Sequence, residues 1–267
     1  PVGDAMYQGP AGEQRLDGTP LDTPSFRFGA GADSLAHALA EQLHPGTLSS
    51  GEPVSEIGRT GAGLTVRTAE HVVDAAHVVI AVPPALAISS IRFTPGLPEQ
   101  LARVAAATPV WMGAITKVVI RYHSRFWRER GLAGSAVSHA GPMRELHDMS
   151  GPDGIAPALF GFVPGGSSTA TVTVEEVVEQ LVAIFGPEAA APTGVTIQDW
   201  RTEPWTSPPD VAHLDDYRTY GHEVYAEPVW DGRLHWCSTE TAHDAPGHIE
   251  GALAAAERAV DRVLRLR

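Results

Sequence analysis

Three kinds of apolar pattern run along the chain. Leu35, Leu39 and Leu43 recur at helical spacing behind Asp33 or Ser34 as candidate caps, and the run ends near Pro45-Gly46, which predicts a helix. Val54-Ser55-Glu56-Ile57 and Leu64-Thr65-Val66-Arg67-Thr68 alternate as half-buried strands do. His77-Val78-Val79-Ile80-Ala81-Val82 reads as a continuous apolar run, the pattern of a strand covered on both faces. Pro83-Pro84 stops it, because neither residue can donate to a ladder. Further on, Ile115 to Tyr122 reads as a strand, Phe126-Trp127 as a buried anchor, and residues 131–168 as short strands between glycine and proline turns. Val178, Leu181, Val182 and Phe185 give Glu175 to Phe185 a helical period, and residues 201–230 are rich in turns. From Gly251 the apolar positions 253, 260, 263 and 264 face one way and Glu257, Arg258, Asp261, Arg262 and Arg265 another, which predicts an amphipathic terminal helix. Residues 1–24 carry Gly, Pro, Asp and Gln without a period and read as a loop or arm.

Composition narrows the classes. A chain of 267 residues can form one large or two modest domains and bury a core. The sequence has no run of roughly 18 apolar residues, which argues against a membrane span, and no charged-then-apolar leader, which argues against secretion. A net charge of -13 argues against nucleic acid as a partner. The single cysteine, Cys237, excludes an intramolecular disulfide, fits a reducing cytoplasm, and reads as a small core residue. Pro1 fits either loss of an initiator methionine or a cut in a longer precursor.

The chemistry concentrates near the end, where Gly232-Arg233-Leu234-His235-Trp236-Cys237-Ser238-Thr239-Glu240-Thr241-Ala242 leads to Gly247-His248-Ile249-Glu250-Gly251-Ala252 and a helix. A helix N-terminus presents unpaired amides and partial positive charge. Ahead of this run stand, in order, the Phe26–Gly31 turn, Glu52-Pro53-Val54, Ala81-Val82-Pro83-Pro84, Phe93-x-Pro95-x-Leu97-Pro98, Gly113-x-x-x-Lys117, Phe126-Trp127 and Trp200. In that order they resemble the flavin-containing amine oxidases (monoamine, polyamine and L-amino-acid oxidases) over roughly residues 25–266.

The resemblance implies that Val54 holds the adenine through its backbone, that Val82 to Ala85, with Pro83, wall the flavin pocket, and that Trp200 stacks near the isoalloxazine. It implies that Lys117 holds a water near flavin N5; an ammonium within an apolar strand is costly unless paired and suits proton transfer. The amide of Ile249 would reach the flavin pyrimidine, while Ser238, Thr239 and Glu240 line the ribityl and phosphate side. The sequence also departs from the family. No Gly-x-Gly-x-x-Gly follows a strand. Ser238 stands where the family has glycine, the residue used for close backbone approach. Asp210 and His248 occupy the positions of an aromatic pair, which implies a polar site with the two as acid–base candidates alongside Lys117. The cluster Asp210, His213, Asp215, Asp216 and His222, with His243 and Asp244, has metal-ligand types, but Pro246-Gly247 breaks the helix that would align His243 with His248, so no metal is assigned.

The expected fold class is therefore α/β (α+β mixed): a discontinuous remnant of an FAD-binding fold over 25–90 and 226–267, a mixed-sheet substrate-binding domain over 91–225, and 1–24 as an arm. The implied function is the C-terminal chain of a split or nicked FAD-dependent oxidoreductase acting on the C–N bond of a polar amine or amino-acid-like metabolite. FAD would be held if a second polypeptide supplied the dinucleotide half; the alternative assembly is a homo-oligomer. Two alternatives stay open, a flavin-free derivative doing acid–base chemistry as a lyase, isomerase or cyclase, and a non-catalytic binding partner.

Overall fold

The computed structural model describes residues 6–9 and 12–15 by their backbone, and 28–61, 63–151, 154–165, 171–206, 208, 210, 211, 214 and 216–265 with their side chains. The chain forms two compact units, Pro1–Glu52 and Pro53–Arg267. In the first, β1 (Met6–Gly9) and β2 (Gly12–Arg15) pair as an antiparallel hairpin with Gly9 opposite Gly12, in the stretch whose composition suggested an arm. Helix α1 (Asp33–Ala40) follows a turn in which Gly31 takes φ 93° and Ser34 Oγ donates to Gly31 O at 2.6 Å. Its cap position is Ala32, so neither Asp33 nor Ser34 caps it.

The second unit runs β3 (Glu56–Arg59), β4 (Leu64–Arg67), β5 (Val72–Ala75), β6 (Val78–Ile80), α2 (Pro84–Ser90), β7 (Arg92–Thr94), α3 (Glu99–Ala106), β8 (Thr116–Arg121), α4 (Phe126–Glu129), β9 (Ala136–Val137), β10 (Glu145–Asp148), β11 (Ala158–Val163), α5 (Val174–Phe185), β12 (Gly194–Asp199), β13 (Leu234–Trp236) and α6 (Ile249–Arg265). A sheet ordered β5-β4-β3-β7 pairs β3 with β7 in parallel and is otherwise antiparallel. A sheet ordered β12-β8-β11-β10-β9 is antiparallel throughout, not mixed as expected. Its consecutive neighbours β9, β10 and β11 are joined by short returns, which allow antiparallel pairing.

β6 and β13 form a parallel pair with Val78 opposite Leu234. A parallel pair needs a crossover, and here the whole five-stranded sheet lies within it. Val79 and Val82 are exposed, so the apolar run through β6 is not covered on both faces among the described residues.

Two principal cores result. The first packs Val118, Ile120, Trp127, Leu146 and Leu159 of the antiparallel sheet and its flanks against Val177, Leu181 and Phe185 of α5. The predicted anchor at Phe126-Trp127 sits here, and Trp127 Nε1 donates to Asp148 at 3.0 Å. Thr173 and Glu176 cap α5 reciprocally, each accepting from the other's amide, at 3.2 Å and 2.9 Å. The second core joins Ile57, Leu64, Ile80 and Leu101 with Tyr225, Leu234 and Trp236.

Helix α6 reverses the predicted burial. Gly251, Ala255 and Ala259 face inward, whereas Leu253, Val260 and Leu264 are exposed. Small side chains let α6 approach closely enough for Arg258 to reach Trp236 O at 3.2 Å and Thr241 Oγ1 at 3.1 Å. Among the described residues no helix is long and apolar enough to cross a membrane.

Candidate active site

The N-terminus of α6 gathers the largest share of the predicted residues. Thr239 Oγ1 donates to His248 O at 2.7 Å and ties the Ser-Thr-Glu turn to the first turn of the helix. His248 Nδ1 lies 3.0 Å from Pro246 O. A carbonyl only accepts, so Nδ1 is the donor in this contact. Ile249 opens the helix and is exposed. Gly247 takes φ 80°, and a side chain there would lie 3.2 Å from the Trp111 indole.

Close by in the chain lie several buried polar side chains. Ser238 and Glu240 are 4 % and 3 % exposed, and Ser238 Oγ, Glu240 Oε2, Trp236 Nε1, Thr219 Oγ1 and Tyr220 OH have no hydrogen-bond partner among the described residues. Burial raises the Glu240 pKa, opposed by its own amide and by the nearby Ser238 hydroxyl, which is out of hydrogen-bonding geometry. Burial first, then the charges of Glu240 and Tyr217, push the Tyr220 phenol above its ordinary value. Buried donors and acceptors left unpaired are costly, and those of Ser238 and Glu240 stand in the turn that Thr239 ties to the N-terminus of α6. The residues present fit the ribityl and pyrimidine parts of a flavin nucleotide, and Ser238 is no obstacle, since its hydroxyl is one of the unpaired groups.

Lys117 and the Trp200 backbone both lie at the start of β8. The alternation of Thr116-Lys117-Val118-Val119-Ile120 sends Thr116, Val118 and Ile120 into the first core and leaves Lys117 on the opposite face. There its Nζ stands 5.0 Å from the Phe160 ring centroid and 5.9 Å from that of Phe162, a cation–π arrangement with His147 stacked on Phe160 at 5.1 Å. β12 pairs Gln198 with Lys117, and the Trp200 amide donates to Ile115 O at 3.2 Å.

The remaining predicted residues are joined less directly. Pro83 caps α2, whose Ala85 packs with Val110 and Val211 in a small third core. Asp210 is exposed and reaches the group only through its neighbour Val211. Val54 packs against the second core ahead of β3. His213 and Asp215 lie outside the described residues, and among the described residues no group of three or more His, Cys, Asp or Glu is placed to hold a metal ion.

Sequence reading missed the hub. Trp111 sits on the turn before β8, packs on His248 at 5.9 Å between ring centroids and on Tyr217 at 5.4 Å, and Tyr217 meets Tyr220 at 5.2 Å. The Asp210 and His248 substitutions pointed to a polar site, but Trp111 and Tyr217 make its exposed rim aromatic.

Comparison with known proteins extends this picture. The sequence model of the family described as flavin containing amine oxidoreductase matches residues 5–264. A flavin-containing amine oxidase of Danio rerio is 31% identical over 264 residues, covering 95% of this chain and 49% of the relative. An L-amino acid dehydrogenase of Synechocystis is 29% identical over 244 residues, covering 88% of this chain and 50% of the relative. The solved structure of wild-type putrescine oxidase bound to putrescine superposes with a TM-score of 0.75 at 26% identity, over 88% of this chain and 53% of that one. The chain thus spans about half the length of the curated relatives it matches.

These findings correct the reading of a remnant. The family match runs through nearly the whole chain and takes in most of the segment read as an arm, so the described elements make up a mixed α/β fold of the family. No finding calls for a second polypeptide carrying a dinucleotide half, for a split or nicked enzyme, or for FAD binding that depends on such a partner. The homo-oligomer and the flavin-free alternative gain no support either. That expectation came from one missing glycine motif, whereas the likeness is spread over many elements. The chain belongs to the flavin-containing amine oxidoreductase family.

Proposed function

We propose that this protein binds FAD at the N-terminus of α6 and oxidises the C–N bond of a small amine or amino-acid-like metabolite. The observation that supports it most is the pair of buried, unpaired polar groups on Ser238 and Glu240, in the turn that Thr239 ties to that helix end. Ser238, Thr239, Glu240 and the Ile249 amide would hold the flavin, with Val54 at the adenine end and Pro83 and Trp200 as walls. Bound FAD would supply the two-electron acceptor.

The rest falls to the protein. His248 Nε2 takes the proton that an ammonium substrate must lose before its nitrogen lone pair is available. Lys117, steadied over Phe160 and Phe162, holds a water and its proton on the substrate-facing side of the sheet. Asp210 contributes negative charge at the entrance. In this scheme residues 25–90 and 226–267 carry the cofactor and 91–225 the substrate. The single cysteine supports a cytoplasmic location.

The test is flavin retention. The purified chain is mixed with FAD, desalted and scanned for a band near ~450 nm, in parallel with an Ile249→Pro variant. Proline at the first helical position preserves the helix but removes one amide. A retained band that the variant weakens is the expected result; a chain that keeps no flavin overturns the assignment. Bleaching of the band by added amines then reads the reaction itself.

A further inference from the structure

The rings at the rim have no role in the scheme above. Trp111 is 45% exposed and Tyr217 41%, an unusual display for two large aromatic side chains that also pack on each other. The turn holding Trp111 is closed by hydrogen bonds: Gly113 N donates to Val110 O at 3.0 Å, Ile115 N to Met112 O at 3.1 Å, and Met112 takes φ 60° to make it. Val110 is buried against Ala85 and Val211, which anchors the turn to α2 and to the loop carrying Asp210. The indole lies against Gly247, where any larger residue would meet it at 3.2 Å. The ring is therefore fixed by its surroundings while nearly half of it stays open.

Resting on the amine reading, we propose that Trp111, backed by Tyr217, is a specificity-determining residue that seats the substrate as an organic ammonium ion. Three features converge on that chemistry. An aromatic face attracts a cation through its quadrupole, and tryptophan does so best. His248, packed on Trp111, offers Nε2 as an acceptor to an ammonium N–H. The net charge of -13 favours approach of cations over anions. A neutral alcohol of the same shape can still donate its O–H to Nε2 but lacks the cation's attraction to the ring. Trp111 comes from the turn before β8, so it is a different element from the Asp210 and His248 positions examined in the sequence.

The experiment is calorimetric titration of the chain, without added flavin, with three probes: tetramethylammonium, benzylammonium and benzyl alcohol. Tetramethylammonium has no N–H and reports the ring contact alone; benzylammonium reports ring and His248 together. The wild type is expected to bind benzylammonium about two- to fivefold more tightly than benzyl alcohol. Trp111→Leu should weaken both cations about two- to fivefold and the alcohol less, whereas Trp111→Phe should retain most of the affinity. Thermal melts confirm that the variants fold, as a half-exposed site should allow. Equal affinity of wild type and Trp111→Leu for tetramethylammonium overturns the inference, as does equal binding of cation and alcohol by the wild type. The two proposals fail separately: ring-dependent ammonium binding by a chain that retains no flavin sinks only the cofactor assignment, and amine bleaching of bound flavin with unchanged KM in Trp111→Leu sinks only this one.

Discussion

Gln180 offers the sharpest test of how the antiparallel sheet is held. It is 6% exposed on α5, and its amide makes three bonds to the β9–β10 segment: Oε1 accepts from Met143 N at 2.9 Å, while Nε2 donates to Met143 O and to Ala140 O at 2.7 Å each. Leucine has a similar volume, so Gln180→Leu removes the hydrogen bonds with little change in packing. Met143 is fully buried, and both of its main-chain groups would be orphaned at about 1–3 kcal/mol apiece. Ala140 is exposed, so its carbonyl can turn to water. The leucine side chain recovers about 1 kcal/mol through its larger apolar surface. The net expectation is a loss of about 3 kcal/mol. Urea denaturation followed by far-UV circular dichroism reads it as a lower midpoint at constant slope. Glu179→Gln on the exposed neighbouring position is the control and should change stability by less than about 0.5 kcal/mol. A Gln180→Leu protein that loses less than about 1 kcal/mol at unchanged slope would refute the view that these bonds hold the hairpin to the helix.

Two further predictions follow from buried titratable groups. Glu240 has a raised pKa in the fold because burial disfavours its anion, so its cost to stability is fully present above the folded pKa and vanishes as pH falls below the unfolded value near ~4.3. Glu240→Gln should therefore raise the urea midpoint at pH ~8 and match the wild type in acid; a lower midpoint at pH ~8 would contradict this. His235 is lowered by burial first and by His77 second, with His77 Nδ1 3.2 Å from His235 Nε2. Between its folded value and the unfolded ~6.5 the unfolded chain binds the extra proton, so stability drops as pH falls below ~6.5 and is unaffected by this group above it. The midpoint measured from pH ~8 to ~5 should fall less steeply in His235→Phe than in the wild type, and parallel curves would discount the pair.

Much of the fold was legible because local pattern and tertiary role agreed. β8 alternates cleanly, and α5 has both a period and a capping pair in Thr173 and Glu176. α6 was legible as a helix but not in its orientation: the pattern marks an apolar stripe, whereas contact with β13 selects the face of Gly251, Ala255 and Ala259 because only small residues allow the approach. The candidates from Ser238 to Ile249 lie on one stretch of chain, so the sequence presents them together. Trp111 and Tyr217 could not, since each looks like an ordinary core aromatic until the chain brings it beside His248. Phe160 and Phe162 escaped notice for the same reason, although the period of two in β11 places both on the face of Lys117. Weight placed on the missing glycine motif led to the expectation of a remnant, because one absent loop is a weaker signal than an ordered series of elements.

The parallel pairing of β6 with β13 has a consequence for how the chain reaches its native state. The first core draws on residues from Val118 to Ala189 without interruption, whereas the second needs Ile57 to Ala105 and Tyr225 to Trp236 together. Contacts between distant stretches must overcome the entropy of closing the intervening loop before they yield any stabilisation. Once the antiparallel sheet has condensed, that intervening loop is no longer a free coil but a folded body with fixed ends, and the search left to Val78 and Leu234 is correspondingly short. The chain is thus organised so that its most local structure lowers the kinetic barrier to its least local one.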